Sequence, residues 1–387
     1  MNARQVWMLG RPTARRGPAG RVLLMARVVA AAVAVSRIVR AARRRPPLTA
    51  APAGVAVDRS TVSSTISIVV PARDEALRIG PLLQIVCGAP GVAEVVVVDD
   101  QSSDATAAIA AAAGARVIVG ASLPAGWVGK AWALQQGVLA ATGDWVVTLD
   151  ADTRPSPHLA QSLVARAQHE ALDFVTVGGR FECPTAGVRW LHPAMLTTLV
   201  YRFGPPGYSG LVRADRQLAN GQCMAFDRRR LLAAGGMHPV AAHVIEDVAL
   251  ARHLAGAGWT VAMLEGPDLL TTRMFDDLSH AVSGWSRSLA LPGVEPRWRQ
   301  AAELVLVLAT QALPIPRLIM RRGDVLDVGL ALMRLGTLAG TAGAYERTGP
   351  AYWLSPTADL VAVVALARGS VTRTHRWRGR VYATASG

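Results

Sequence analysis

Short runs of β-branched residues alternate with helical segments from Ile66 onward, and this alternation is the strongest constraint on the fold. The runs "ISIVV", "EVVVV", "RVIV" and "WVVTL" have the length of strands, and alanine- and leucine-rich segments separate them. Strands separated by helices are joined by crossover connections, which produce a mostly parallel sheet. Because each run is continuously apolar, we expect helices on both faces of the sheet. The predicted fold class is therefore α/β.

Acidic residues follow three of these strands. The first strand is followed by "VVPARDEA", which contains Pro71 and Glu75, and the second ends in "VVVVDDQSSDAT", which contains Asp100. The fourth strand leads into "TLDADTRP", with Asp150 and Asp152. Ligands of open α/β sheets bind beyond the carboxyl ends of the strands. We therefore expect these side chains to meet at one edge of the sheet.

The pair Asp150 and Asp152 predicts a metal site. Alternate side chains of an extended segment share a face, and no lysine lies near these two acids in the sequence. Mg²⁺ or Mn²⁺ is typically held by one or two carboxylates together with substrate phosphates. Two acids in this pattern are also typical of a solvated turn, and the metal interpretation draws its weight from the other strand ends.

No glycine-rich phosphate loop is present in the sequence. The segment "GWVGKAWA" lacks the spacing of a P-loop, and Ala131 stands where Ser or Thr would follow Lys130. The phosphates of a nucleotide must then be neutralised by a metal ion, by Lys130, or by both. Lys130 could equally be a surface residue of its helix.

A further acidic pair, Glu246 and Asp247, begins the helical segment "EDVALARHLAGAG". Each carboxylate raises the pKa of its neighbour, which suits a general base. The alternative is that both acids only stabilise the positive end of the helix dipole.

Clusters of arginine border apolar stretches at both ends of the chain. Hydrophobic residues make up 51% of the sequence, and the formal net charge is +14. This arrangement indicates contact with a membrane and no nucleic-acid partner. The segment 21–45 has no obvious cleavage site, so we expect an uncleaved anchor. The arginines that follow it favour a cell-membrane protein whose catalytic domain faces the cytoplasm, while the arginines that precede it weaken this orientation.

The composition divides the chain into four regions. They are an anchor at 1–45, a linker at 46–65, the α/β domain at 66–300, and C-terminal membrane-associated helices with a basic tail at 301–387. At least two of the C-terminal apolar stretches are expected to enter the bilayer. Helices lying in the headgroup layer are the alternative.

Five motifs resemble glycosyltransferase family 2, the inverting enzymes of the GT-A fold. They are "VVPARDE", "VVVVDDQSSDAT", "GKAWALQQG", "TLDADTRP" and "HVIEDVALARHLAGAGW", in the family's order over about 66–290. The segments "GWVGKAWA" and "WRGRVY" further resemble membrane-associated transferases of hopanoid and carotenoid pathways, such as the diaponeurosporenoate glycosyltransferase type. The resemblance implies transfer of a sugar from a nucleoside diphosphate donor to a lipid-like acceptor of isoprenoid or carotenoid type.

The resemblance also implies roles for matching residues of the donor site. Asp100, with Pro71 and Glu75 nearby, would lie against the nucleobase and ribose. Asp150 would contact the ribose or the metal ion, and Asp152 would be the direct metal ligand.

The resemblance assigns the acceptor side as well. Asp247 would be the general base, with Glu246 beside it. "NGQCMAF" is similar to the strand that closes this side, and Gly221 would permit close backbone approach. Processive members carry a QxxRW motif, whereas this chain has only "SGWSRSLALPG", so chain extension is not expected.

Two other classes of function would leave different patterns in the sequence. A nucleotidyltransferase would carry a glycine-rich loop with a basic residue after the first strand, and "PARDEALRIG" fits that pattern poorly. A non-catalytic membrane scaffold derived from a transferase would have lost its metal-binding or base carboxylates, whereas Asp152 and Asp247 are both present.

Overall fold

The computed structural model describes residues 18–50, 64–372, 374–377 and 380–383. Most of the predicted linker, residues 51–63, lies outside these ranges. In chain order the strands are β1 (Ile66–Ala72), β2 (Val92–Asp99), β3 (Arg116–Val119), β4 (Trp145–Leu149), β5 (Thr153–Pro155), β6 (Phe174–Gly178), β7 (Arg180–Phe181), β8 (Cys223–Asp227), β9 (Val261–Glu265), β10 (Leu270–Thr272), β11 (Thr374–Trp377) and β12 (Arg380–Ala383).

A seven-stranded sheet forms the centre of the molecule, in the order β3-β2-β1-β4-β8-β6-β9. Strand β8 runs antiparallel to both of its neighbours, and the other pairings are parallel. In β1, Val69 is paired with Val96 of β2 on one side and with Thr148 of β4 on the other. The carboxyl ends of β1, β2 and β4 therefore lie side by side, and the predicted mostly parallel α/β sheet is confirmed.

The helices, in chain order, are α1 (Pro18–Ile38), α2 (Ala76–Val86), α3 (Thr106–Ala112), α4 (Gly129–Ala140), α5 (Leu159–His169), α6 (Ala186–Phe203), α7 (Arg228–Ala233), α8 (Glu246–Gly256), α9 (Leu278–Ser288), α10 (Arg297–Val307), α11 (Pro314–Ile319), α12 (Val325–Thr341), α13 (Gly349–Trp353) and α14 (Asp359–Val371).

Helices cover both faces of the central sheet. On one face Leu82 of α2 and Leu163 of α5 join a buried cluster with alternate residues of β1. On the other face Leu134 of α4 and Leu250 of α8 pack against Val69 and the remaining inward residues of the strands. This double burial explains why the strands read as continuous apolar runs.

A layer of helices, formed by α1, α6, α9, α10 and α12–α14, lies beside the α/β core. Ala34 of α1, Leu191 of α6, Trp285 of α9, Leu338 of α12 and Leu366 of α14 are buried in one apolar cluster. The first helix and the C-terminal helices therefore pack around α6 and α9, which belong to the middle of the chain.

Ion pairs account for the charges that interrupt the apolar segments. Arg27 of α1 forms a salt bridge with Asp324 at 3.0 Å and contacts Asp327 as well. Ten residues later in the same helix, Arg37 pairs with Glu303 of α10 at 2.8 Å. Paired in this way, such charges avoid the large cost of an isolated charge in apolar surroundings.

Within the described residues, two helical segments are long and apolar enough to cross a membrane, namely Pro18–Arg43 and Val325–Ala344. On α1, Val22, Leu23 and Met25 are exposed, and on α12 Val325 and Leu332 are exposed. The other C-terminal apolar stretches lie in the shorter helices α10 and α14. Entry of at least two C-terminal helices into a bilayer stays a prediction.

A substitution at Gly137 would test how closely α4 packs on the sheet. A Cβ at this position would overlap Val69 Cγ1 and lie 3.1 Å from Val98 Cγ2, both on buried strands. Gly137→Ala should therefore lower the free energy of unfolding by about 1–3 kcal/mol through overpacking. The matched control is Gly256→Ala at the end of α8, where an added Cβ meets no atom within 4 Å. It should be neutral or stabilising by up to about 1 kcal/mol. Chemical denaturation of the two variants in detergent measures the difference, and equal effects would contradict the close contact.

Candidate active site

A cavity of about 1580 Å³ opens at the carboxyl edge of the central sheet. Its lining includes all but one of the side chains that the sequence singled out for binding and catalysis: Pro71, Glu75, Lys130, Asp150, Asp152, Glu246 and Asp247. The exception, Asp100, is not among the lining residues. The predicted gathering of strand-end acids at one edge is therefore confirmed for β1 and β4, and α8 contributes two further carboxylates.

Lys130 lies between acids from two different elements. Its ammonium nitrogen is 2.9 Å from Asp150 Oδ1 and 3.0 Å from Glu246 Oε1. It is the single lysine in a chain whose other 40 basic residues are arginines. An ammonium group is a compact charge with three donors, so it can bridge two carboxylates in a space that a planar guanidinium would not fit. The cation beside Asp150 thus comes from α4, twenty residues earlier in the chain.

The carboxylates of the cluster outnumber its single ammonium group. The pKa of Glu246 is raised to about 7, chiefly by burial and also by the charge of Asp247, against the lowering effect of Lys130. Burial likewise raises the pKa of Asp247, again opposed by Lys130. Burial lowers the pKa of Lys130, but Asp150, Glu246 and Asp247 together raise it above its ordinary value, so Lys130 remains protonated. The pKa of at least one carboxyl is therefore near neutral pH, where proton transfer is efficient.

Asp247 is held in place by a backbone donor. It is the second residue of α8, and its Oδ2 accepts a hydrogen bond of 2.7 Å from the N–H of Gly221. A Cβ at Gly221 would lie 3.1 Å from the same oxygen. The predicted close backbone approach at Gly221 is confirmed, and it is an approach to Asp247.

The surroundings of Asp152 fit a cation. Its pKa is raised to about 7, chiefly by burial and also by the charges of Asp150 and Glu75, against the lowering effect of Lys130 and Arg78. Its Oδ1 is buried and has no hydrogen-bond partner among the described residues. No group of three or more His, Cys, Asp or Glu side chains with metal-binding geometry occurs in the described part of the chain. A metal ion bound at Asp152 would therefore take most of its ligands from phosphate oxygens and water.

Asp100 is covered by the C-terminal hairpin of β11 and β12. Arg380 Nη1 donates to Asp100 Oδ2 at 2.5 Å, and Arg380 Nη2 donates to Gln101 Oε1 at 3.1 Å. The hydroxyl of Tyr382, from the same strand, accepts a hydrogen bond from the N–H of Gly129. Sequence reasoning gave Arg380 and Tyr382 no role. The signal available was that "GWVGKAWA" and "WRGRVY" supported the same narrow resemblance.

The structure also locates other residues of the segments quoted from the sequence. Trp127 and Trp132 pack edge to face with ring centroids 5.0 Å apart and do not line the cavity. Trp285 and Arg287 of α9 do line it. Asp74 has a positive φ of 51°, and its carboxylate accepts hydrogen bonds from Ser103.

Comparison with known proteins shows that part of this chain is similar to a known family. Residues 67–230 match the model of "Glycosyl transferase family 2", which confirms the resemblance drawn from the motifs. Glu246 and Asp247 lie beyond the matched range. The 4,4'-diaponeurosporenoate glycosyltransferases of Staphylococcus haemolyticus (strain JCSC1435) and Staphylococcus aureus (strain MRSA252) are each 25% identical to this chain, over 59% and 63% of its length. The matches span 62% and 65% of those relatives, less than two thirds of their length.

Among solved structures, glucosyl-3-phosphoglycerate synthase from Mycobacterium tuberculosis is similar over part of the chain. Its complex with Mn²⁺, UDP and glucosyl-3-phosphoglycerate has a TM-score of 0.44 and 22% identity, covering 64% of this chain and 86% of that one. Its complex with Mn²⁺ and UDP-glucose has a TM-score of 0.43 and 22% identity, covering 60% and 79%.

Removing the Lys130 charge should make stability depend more strongly on pH. A carboxyl with a raised folded-state pKa favours folding at low pH, and this contribution is lost as the pH rises through the folded-state value, about 7 for Glu246. Lys130→Met raises that pKa further. The free energy of unfolding of the variant should therefore be close to that of the wild type at pH 5 and lower by about 3 kcal/mol at pH 8.

Thermal unfolding in detergent at the two pH values measures this effect. Arg229→Met is the control, because Arg229 pairs with Asp144 in an exposed salt bridge and its side chain is 80% exposed. Its effect should stay within about 0.5 kcal/mol at both pH values. A Lys130→Met penalty that is the same at pH 5 and pH 8 would contradict the charge cluster.

Proposed function

We propose that this chain, which carries a glycosyl transferase family 2 domain over residues 67–230, transfers a sugar from a nucleoside diphosphate donor to a lipid-like acceptor at the membrane. The observation that supports the proposal best is the shared cavity. Asp152 and Asp247 line it together with Met333 and Gly336 of α12, one of the two helices apolar enough to span a membrane. A polar donor and an apolar acceptor can therefore meet within one cavity.

The donor would bind where β1 and β4 end. Asp152 and Asp150 would hold Mg²⁺ or Mn²⁺, and the buried, unpartnered Oδ1 of Asp152 supports this assignment. The metal ion would supply positive charge to the diphosphate as the bond to the sugar breaks. Lys130 is close enough to Asp150 to share that task, and its ammonium would contact the departing diphosphate once the donor displaces part of its ion pairing.

The acceptor would be activated by Asp247. Its Oδ2 is held by the N–H of Gly221, so the other oxygen can take the acceptor's hydroxyl proton. As that proton moves to Asp247, the acceptor oxygen forms a bond to the anomeric carbon, and the bond from that carbon to the phosphate oxygen breaks. The nucleoside diphosphate leaves with the bonding electrons. Attack from the face opposite the leaving group would invert the anomeric centre.

The acceptor is proposed to be an isoprenoid or carotenoid-type lipid. The apolar part of the cavity is lined by Leu196 and Leu199 of α6 and by Met333 of α12. The matched staphylococcal relatives are named for diaponeurosporenoate, a carboxylate. A carboxylate acceptor would already be ionised at neutral pH and would need the base less than a hydroxyl would.

The protein is proposed to reside in the cell membrane with its α/β domain in the cytoplasm. The apolar side chains exposed on α1 and α12 support insertion of both helices. The arginines after α1 support the orientation. Two of these arginines also form salt bridges with the α/β domain: Arg44 with Glu265 at 3.0 Å and Arg45 with Glu170 at 2.7 Å.

Substitution of the two acids should separate donor binding from transfer. With purified full-length protein, Mn²⁺ and radiolabelled sugar nucleotides, Asp152→Asn should weaken donor binding and abolish labelled lipid. Asp247→Asn should leave donor binding near wild type and lower turnover to a hydroxyl acceptor by about 10²–10⁴-fold. Asp268→Asn, at a side chain that is 70% exposed, is the matched control and should change neither quantity.

The same assay can overturn the proposal. Absence of labelled lipid from the intact wild-type protein with every donor tested would exclude lipid glycosylation. Normal turnover in both Asp152→Asn and Asp247→Asn would exclude the assigned roles. A small effect of Asp247→Asn on a carboxylate acceptor, beside a large one on a hydroxyl acceptor, would support the role of Asp247 as the base, because only the hydroxyl must lose a proton.

Membrane insertion predicts how the full-length protein partitions. Because α1 and α12 would each bury an apolar surface in the bilayer, the protein should stay in the membrane pellet after washing with 1 M salt, which screens surface electrostatics to about 3 Å. It should also stay there after alkaline carbonate and leave only with detergent. Release by salt alone would show a peripheral protein held by its arginines.

A further inference from the structure

The C-terminal hairpin contacts the predicted donor site at Asp100. Asp100 follows β2, is only 1% exposed, and has one oxygen bonded to Arg380. Its other oxygen, Oδ1, is buried and has no hydrogen-bond partner among the described residues. A buried carboxylate oxygen without a donor is costly, and a ligand N–H or O–H would satisfy it.

The absence of a side chain at Gly129 makes space for the contact between Arg380 and Asp100. A Cβ at Gly129 would lie 2.6 Å from Arg380 Nη1, 2.8 Å from Asp100 Oδ2 and 3.0 Å from the hydroxyl of Tyr382. Any larger residue would therefore push the Arg380–Asp100 pair apart. Gly129 also begins α4, so the pair lies one residue from Lys130, which lines the cavity. The tail thus docks against the segment that carries the charge cluster.

We propose that Arg380 is a positioning residue of the donor site: by bonding Oδ2 of Asp100 it holds Oδ1 toward the base or ribose of a nucleoside diphosphate. This inference rests on the proposed function. Arg380 acts through Asp100 in two ways. Its bonds to Asp100 and Gln101 fix the orientation of the carboxylate, and its charge keeps that carboxylate ionised and therefore able to accept a hydrogen bond.

The charges around Asp100 determine how its pKa responds. Burial raises the pKa of Asp100, Arg380 and Arg73 lower it, and Asp99 raises it. Arg73, after β1, also donates to the main-chain oxygen of Asp100. From β12 the hydroxyl of Tyr382 lies beside Arg380, and α4 contributes Gly129. Arg380 is thus the nearest of the cations that oppose burial.

The test is the pH profile of nucleotide binding. The dissociation constants of UDP, GDP and dTDP are measured with Mn²⁺ between pH 5 and pH 9 for the full-length protein, and the tightest nucleotide is followed in the variants. As the pH is lowered, Arg380→Gln should lose its affinity for the nucleotide at a higher pH than the wild type does, because its Asp100 is protonated sooner. At pH 6 the variant should bind at least about tenfold more weakly than the wild type, and the difference should become smaller by pH 9. Arg380→Lys should recover part of the loss, because it keeps the charge without the fork.

Two further variants separate positioning from folding. Gly129→Ala should show the same displaced pH profile of nucleotide binding. Combining it with Arg380→Gln should weaken binding little further, because both substitutions disrupt the same Arg380–Asp100 contact. Arg229→Gln, an exposed arginine on α7, should keep the wild-type profile. The metal site is common to all variants, so its own pH dependence cancels in the comparison.

The outcomes distinguish this inference from the function on which it rests. If the wild type binds none of the three nucleotides, the proposed function and the inference both fail. If the wild type binds one of them and Arg380→Gln has the same pH profile, only the inference is overturned. Tighter binding by Arg380→Gln would show that Arg380 competes with the donor, which also overturns the inference.

Discussion

The site depends on one ammonium group that lies among several carboxylates. Lys130 contacts Asp150 and Glu246 at about the same distance, and Asp247 is the next residue of α8. The end of β4 supplies one acid and α8 the others, so the lysine joins the proposed donor side of the cavity to the proposed acceptor side. Because the negative charges outnumber this cation, the cluster has capacity for a further positive charge, and the buried oxygen of Asp152 lies where a metal ion would supply it.

Paired charges also organise the helical layer. Arg27 and Arg37 interrupt an otherwise apolar first helix, and each is paired with acids of the C-terminal half. Within the same layer, Arg334 is buried against Asp359 at 2.9 Å. Such pairs add little net stability, but losing one partner leaves an isolated buried charge. The pairs therefore fix how the first helix docks on the C-terminal helices, and that docking shapes the apolar part of the cavity.

Local patterns in the sequence predicted the parallel strands and the acids at their ends, because strand composition and strand-end chemistry are encoded within a few residues. The contacts of those acids could not be predicted in the same way. Lys130 is twenty residues from Asp150, and Arg380 is 280 residues from Asp100. Such pairings are created by tertiary packing, which no periodicity reports. The single lysine among 40 arginines was an available signal, since a residue type used once in a chain marks a position where arginine does not serve.

The uniqueness of Lys130 also allows the most direct measurement of the central claim, that this charge cluster binds the donor diphosphate. Reductive methylation of the native protein can be followed by mass spectrometry of the fragment 117–166, which cleavage after arginine releases because the Arg154–Pro155 bond resists cleavage. Lys130 is the only amine-bearing side chain in this fragment. UDP, GDP or dTDP together with Mn²⁺ should slow methylation of Lys130 severalfold, while modification of the N-terminal amine is unchanged. A rate that none of the three nucleotides alters would contradict the account.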